Sequence, residues 1–215
     1  MKNKSTTKKP MWLVIFLAVF VVAAVVVGVL YFAPKKPAPT TPAADHEQVA
    51  TQFIKAYYTR DRLTTFPMYF YNARQQWEDG VVKQNGSAEA FFAEAQKQAD
   101  AKGIDAKVTD FDSYYAAYYR FIQGDLQNLY GNHTITTTAI ETTKLEGEAL
   151  VASRADQLRT INADYIDADA LNAVTEAYRI KVNLQVDGEK KDHTETYLVN
   201  VVYHDGQWRV VSHSI

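Results

Sequence analysis

The sequence predicts an α+β protein carried behind a single membrane-spanning helix. Three observations lead there. An uninterrupted apolar run fills residues 11–33, amphipathic helical patterns occupy much of the chain after it, and period-two alternation dominates the C-terminal end. The expected organisation is a short tail (1–10), the span (11–33), a linker (34–44) and one outer domain (45–215). In that domain helices cover an antiparallel sheet that ends in a three-stranded meander.

The run from Met11 to Ala33 is 23 residues without a charge. As a helix it is about 34 Å long, enough for a hydrocarbon core of about 30 Å. A helix of a soluble domain keeps a polar face, and this one has none. Its valines are poor helix formers in water, but in lipid an unpaired backbone group costs several kcal/mol and enforces the helix. Trp12 at one end and Tyr31 and Phe32 at the other sit where a membrane-interface aromatic belt belongs, and Pro34 stops the helix. A cleaved signal has a shorter apolar region followed by small residues, whereas this run ends in the bulky Leu30-Tyr31-Phe32. Cleavage near Ala43 is the alternative; with no cysteine, a lipoprotein anchor is excluded. Lys2, Lys4, Lys8 and Lys9 precede the span and only Lys35 and Lys36 follow closely. The bias predicts a cytoplasmic N-terminus and an extracytoplasmic domain, with the lipid bilayer as partner of residues 11–33. The linker PKKPAPTTPAA is extended at about 3.1 Å per residue if polyproline-like, a spacer of up to about 30 Å.

All 25 acidic residues lie at or after Asp45 and six of the 23 basic ones precede it, leaving 17 against 25, a formal charge of −8. That argues against a nucleic-acid surface, which needs basic patches, and disfavours polyanionic wall polymers or anionic lipid. Without cysteine the domain has no disulfide, so packing must stabilise it.

Asp45 is placed to cap a first helix, whose apolar stripe is Val49, Phe53, Ala56 and Tyr57. A second, shorter helix is expected through Pro67–Trp77, with Phe66, Phe70 and Trp77 as markers. Asn85-Gly86 reads as a turn, after which Ser87 caps a helix over Ala88–Lys102 that ends at Gly103. Residues 113–130, SYYAAYYRFIQGDLQNLY, place Tyr114, Tyr115, Tyr118, Tyr119 and Ile122 on one broad helical face. Such a stripe is normally core with hydroxyls reaching water, and the alternative is a binding surface or pocket wall. Residues 133–143, rich in threonine, read as a strand; 148–161 fit helix or strand; a loop and a short helix starting near Asp169 follow.

From Tyr178 to Val186 the even positions are Tyr, Ile, Val, Leu and Val and the odd ones polar, a strand with one wet face. Tyr197, Val199, Val201 and Tyr203 alternate in the next strand. Asp205-Gly206 is a two-residue hairpin signal that pairs Tyr203 with Trp208 and Val201 with Val210. Matching apolar faces pairs Ile180 with Tyr197 across a loop at 187–190, and the same register places His213 opposite Leu198, facing away from Tyr197.

The ending YLVNVVYHDGQWRVVSHSI resembles the last hairpin of NTF2-like (cystatin-like cone) domains, and the opening EQVATQFIKAYYTRD is similar to their first helix. The resemblance covers residues 46–66 and 176–215. It implies a curved sheet wrapped around helices as a cone. In enzymes of the superfamily the cone holds a general base and an oxyanion donor; in bitopic bacterial relatives, including scaffold subunits of conjugation and secretion channels, it serves assembly. The anchor, linker and single outer domain look like the second group.

Chemical signatures are sparse. His46, His133, His193, His204 and His213 show no zinc-ligand spacing and read as surface histidines, so no metal is expected. Asp164, Asp167 and Asp169 lack the glycine of a calcium loop. There is no G-x-S-x-G, no cysteine nucleophile and no Gly-rich phosphate loop, and no cofactor is expected. Asn132-His133-Thr134 matches a glycosylation sequon. Glu195 is the one carboxyl on the inward parity of a strand, beside Val182 by the expected register, and a strand-edge position near solvent accounts for it. The expectation is a non-catalytic interaction or assembly module. A ligand-binding sensor with an aromatic-lined cone is second, and a cone-type isomerase or hydrolase third. A filled core with an exposed aromatic patch favours assembly, a deep empty cone the sensor, and an enclosed carboxylate among tyrosines the enzyme.

Overall fold

The computed structural model describes residues 43–215. The tail, the apolar run with Trp12, Tyr31 and Phe32, and most of the linker lie outside the described residues; among those described, no helix is long and apolar enough to cross a membrane.

The first helix, α1 (Ala43–Tyr58), begins earlier than expected, so Asp45 lies within its first turn rather than capping it. A carboxylate there complements the partial positive charge of the helix start. Phe53 and Ile54 are fully buried, and the chain leaves α1 through bonds from Arg60 N–H to Tyr57 O and from Asp61 N–H to Ala56 O, with Arg60 at φ 57°. This is the six-to-one, five-to-two closure in which glycine is usual.

The helix expected through Pro67–Trp77 is broken. A short α2 (Arg62–Thr65) and a 3-10 turn at Phe66–Met68 are followed by extended chain, then α3 (Ala73–Asn85). Tyr69 bridges Val210 in parallel and the Phe70 N–H donates to Val210 O at 2.8 Å, so these backbone groups are bonded to a distant strand. Asn72 accepts from Gln75 N–H and starts α3 afresh. Ser87 caps α4 (Ala88–Ala101), as its sequence predicts. Asp110 and Ser113 form a reciprocal capping box at the start of α5 (Phe111–Tyr130).

After β1 (His133–Lys144), the ambiguous 148–161 segment is helical, α6 (Gly147–Thr160). The short α7 (Ala168–Ala173) is capped by Asp167, not Asp169. Then β2 (Ala177–Gly188), β3 (His193–His204) and β4 (Gln207–Ser214) form the expected meander, and β1 extends it to a four-stranded antiparallel sheet in the order β1-β2-β3-β4.

Two registers differ from expectation. Ile180 pairs with Val199 and Val182 with Tyr197, moving the loop to 189–192 and Glu195 opposite Leu184. The shift is two residues, so every side chain keeps its face. In β4 a bulge between Asn200 and Val201 leaves Val211 unpaired and puts His213 opposite Val199. That one-residue insertion turns His213 onto the core face.

The sheet is covered on both faces. On one, α1 and the C-terminal half of α5 pack Phe53, Ile54, Leu126 and Tyr130 against Ile180, Val182, Val199, Val201 and Val210. On the other, Leu171 and Val174 with Ile161 and Ile166 cover Ala177, Val202 and the bulged Val211. A third cluster lies between α4 and the N-terminal half of α5, around Ala95, Ala99, Val108 and Ala117. The fold is α+β, with helices packed against an antiparallel sheet.

Candidate functional site

The four α5 tyrosines, read from the sequence as a core stripe with a binding surface or pocket wall as the alternative, separate into different environments. Tyr115 is buried and its hydroxyl donates to Glu78 Oε1 at 2.9 Å. Burial first, then that bond, push its pKa well above the usual phenol value. Tyr114 stacks on Trp77 and Tyr118 stacks on Tyr114, with ring centroids 5.7 and 5.8 Å apart. Tyr119 is exposed. Tyr114 and Tyr118 also wall an apolar groove of about 260 Å³ between α4 and α5, with Ile104, Val108, Ala117 and Phe121. The Gln96 amide pins the 102–108 loop over α4 by accepting from Val108 N–H (2.7 Å) and donating to Ala106 O (3.1 Å). Arg62 stacks its guanidinium 3.9 Å from the Trp77 ring centre, and burial lowers its pKa.

A second depression, of about 390 Å³, is lined by the end of α1, the C-terminal half of α5, β3 and Ile215. Tyr57, Tyr58 and Arg60 come from the end of α1. Ile122, Asp125, Leu126 and Leu129 come from α5, and Glu195 and Tyr197 from β3. The Tyr57 and Tyr197 rings stand nearly perpendicular, 6.3 Å apart at 77°. The Tyr197 hydroxyl donates to Glu195 Oε2, and His193 Nε2 lies 3.8 Å from the same oxygen. Tyr58 and Tyr130 share a hydroxyl–hydroxyl bond of 2.9 Å. Burial, reinforced by these bonds, raises the pKa values of Tyr58 and Tyr197, so both stay protonated as donors near neutrality. The Arg60 guanidinium lies 5.0 Å from the Tyr57 ring centre. Neither Arg60 nor Asp125 has an ion-pair partner among the described residues.

Two histidines are not on the surface as expected. His46 is buried, stacked face to face on Tyr178 at 4.0 Å with Trp208 edge-on at 5.2 Å. His213 packs behind the cleft against Tyr57, Phe53 and Tyr69, 4.2, 5.1 and 6.3 Å between ring centres, and burial lowers its pKa. Among the described residues no group of histidines and carboxylates could hold a metal ion. Glu195 was visible in the sequence through its inward parity. Arg60 was not, because its positive φ is set by how α1 ends.

No family model, curated protein or solved structure matches the chain.

Proposed function

We propose that residues 45–215 form an extracytoplasmic protein-interaction module, tethered by residues 11–33 with the N-terminus in the cytoplasm, that helps assemble a membrane-associated complex and has no catalytic role. One observation supports this most directly. The interior between α1 and the sheet is filled, with Phe53, Ile54, Ile180, Val182, Val199, Val201 and Val210 all inaccessible, while the aromatic groove on α4 and α5 is open. A packed interior leaves no room for a substrate there, and an open aromatic groove is a surface suited to a partner side chain. The charge of −8 favours protein over nucleic-acid partners. We assign the architecture to the NTF2-like type on the opening helix and last hairpin; α1 lying across the antiparallel sheet supports that assignment.

The test is site-specific photocrosslinking in intact cells, with a photoreactive phenylalanine at Phe121 in the groove and, as control, at the exposed Thr196 on the sheet. A discrete protein adduct from position 121 alone, together with trimming of the domain by protease added outside, is expected. Equal adducts at both positions, none at 121, or protection from external protease would overturn the proposal.

A further inference from the structure

The cleft between α1, α5 and β3 has a feature that the groove beside Tyr114 and the depression between Phe66 and Gln84 lack: residues of opposite charge in its lining. The groove beside Tyr114 offers a small ligand one cation, Lys102, and the depression between Phe66 and Gln84 offers no charged group. Here Arg60, Asp125 and Glu195 all line one cavity. Neither Arg60 nor Asp125 forms an ion pair with any described residue. Unpaired opposite charges sharing a cleft are complementary to a molecule that carries both.

The rest of the lining narrows the class. Ile122, Leu126, Leu129 and Ile215 supply apolar surface, and Tyr57, Tyr58 and Tyr197 supply aromatic surface. A volume of about 390 Å³ is at the small end of the roughly 300–1,000 Å³ typical of small-molecule clefts. Perpendicular tyrosine rings beside a carboxylate suit an ammonium group, which is attracted to ring faces and to the carboxylate together. A guanidinium suits a carboxylate, which it binds through two parallel hydrogen bonds. Glu195 is oriented by the Tyr197 hydroxyl rather than free to swing.

Arg60 supplies an independent indication. It occupies a left-handed backbone position, φ 57°, at the end of α1, where glycine would be unstrained. Strained non-glycine residues gather at ligand-binding positions, where the side chain is needed. Its guanidinium lies 5.0 Å from the ring centre of Tyr57, a residue lining the same cavity.

We propose that this cleft binds a free α-amino acid with an apolar side chain: carboxylate on Arg60, ammonium between Glu195 and Asp125 against the tyrosine rings, and side chain on Ile122, Leu126 and Leu129. The inference stands apart from the partner-binding groove, which lies on a different part of α5.

The full-length protein in lipid nanodiscs is titrated calorimetrically with L-leucine, L-phenylalanine, L-leucinamide and 4-methylpentanoate. Saturable binding of leucine or phenylalanine is expected. Leucinamide, which lacks the carboxylate, and 4-methylpentanoate, which lacks the ammonium, should each bind at least about tenfold more weakly, the loss of about one charge-assisted contact. Arg60→Gln should erase the difference between leucine and leucinamide while leaving that with 4-methylpentanoate; Glu195→Gln should do the reverse. Both positions reach solvent, and an unchanged thermal melt shows that a variant is folded. Failure of both amino acids to saturate in the millimolar range overturns the proposal. So does equal binding of leucine and either analogue, or indifference of both variants to the missing charge.

Discussion

His213 should make the domain lose stability in mild acid. The bulge at Val211 places its imidazole on the core face, against Phe53, Tyr57 and Tyr69, and burial depresses its pKa below the usual histidine value, with the nearby Arg60 charge acting in the same direction. Above the unfolded value of about 6.5, both states hold a neutral ring and the effect is absent. Below it, the unfolded chain takes up a proton that folded His213 refuses, so stability falls as pH falls. The loss levels off once the folded ring titrates too. The slope is at most about 1.4 kcal/mol per pH unit, and smaller here because the ring is only partly buried. His213→Asn cannot be protonated and keeps an amide atom near Nδ1, where the Tyr69 hydroxyl lies 3.4 Å away. Urea denaturation of both proteins from about pH 7.5 to about pH 5.5 isolates the ring, because the carboxylates and other histidines are common to both. The stability gap between wild type and variant should narrow or reverse towards acid. Parallel curves would refute the reasoning and with it the inward placement of the ring.

Three further outcomes are expected. Arg60→Gly relieves about 1–2 kcal/mol of left-handed strain, against about 0.5–1 kcal/mol of added chain entropy and a similar loss of the Tyr57 contact, so denaturation should show a change within about 1 kcal/mol. Tyr115→Phe should cost about 1–2 kcal/mol by chemical denaturation, since Glu78 loses the hydroxyl but keeps Arg74 at 2.7 Å; a neutral result counts against that buried bond. Gly→Ala should have opposite signs at two sites. At Gly188 a Cβ would lie 2.6 Å from Lys191 O and 2.8 Å from Tyr130 O, costing about 1–3 kcal/mol, whereas Gly80 within α3 has open space and Ala should add about 0.5–1 kcal/mol.

Local chemistry made parts of the fold legible. Asp205 and Gly206 both adopt positive φ, 49° and 76°, and the Tyr203–Trp208 pairing follows from that turn alone. Ser87 caps α4 because its hydroxyl needs only the N–H of Ala90. Where the deciding partner is distant, local pattern was insufficient. The break before α3 depends on Val210, some 140 positions away in the chain. The helix α6 escaped periodicity because few of its residues are buried and Val151 is largely exposed, leaving little apolar stripe to read.

The cleft shows how the size of a register error decides its consequence. An error of two residues between β2 and β3 preserved parity, so Glu195 remains on the inward side, two residues from Tyr197 and within reach of its hydroxyl. An error of one, at the Val211 bulge, moved His213 from the outer face to the wall behind Tyr57. Bulges leave only a faint trace in sequence; here it is the consecutive pair Val210-Val211, both buried but on opposite sides of the sheet. The cleft combines 57–60, 122–129, 195–197 and Ile215, and no one of these segments carries a motif by itself. Tertiary packing brings Arg60, Asp125 and Glu195 to one cavity, and no local pattern in the sequence signals that combination.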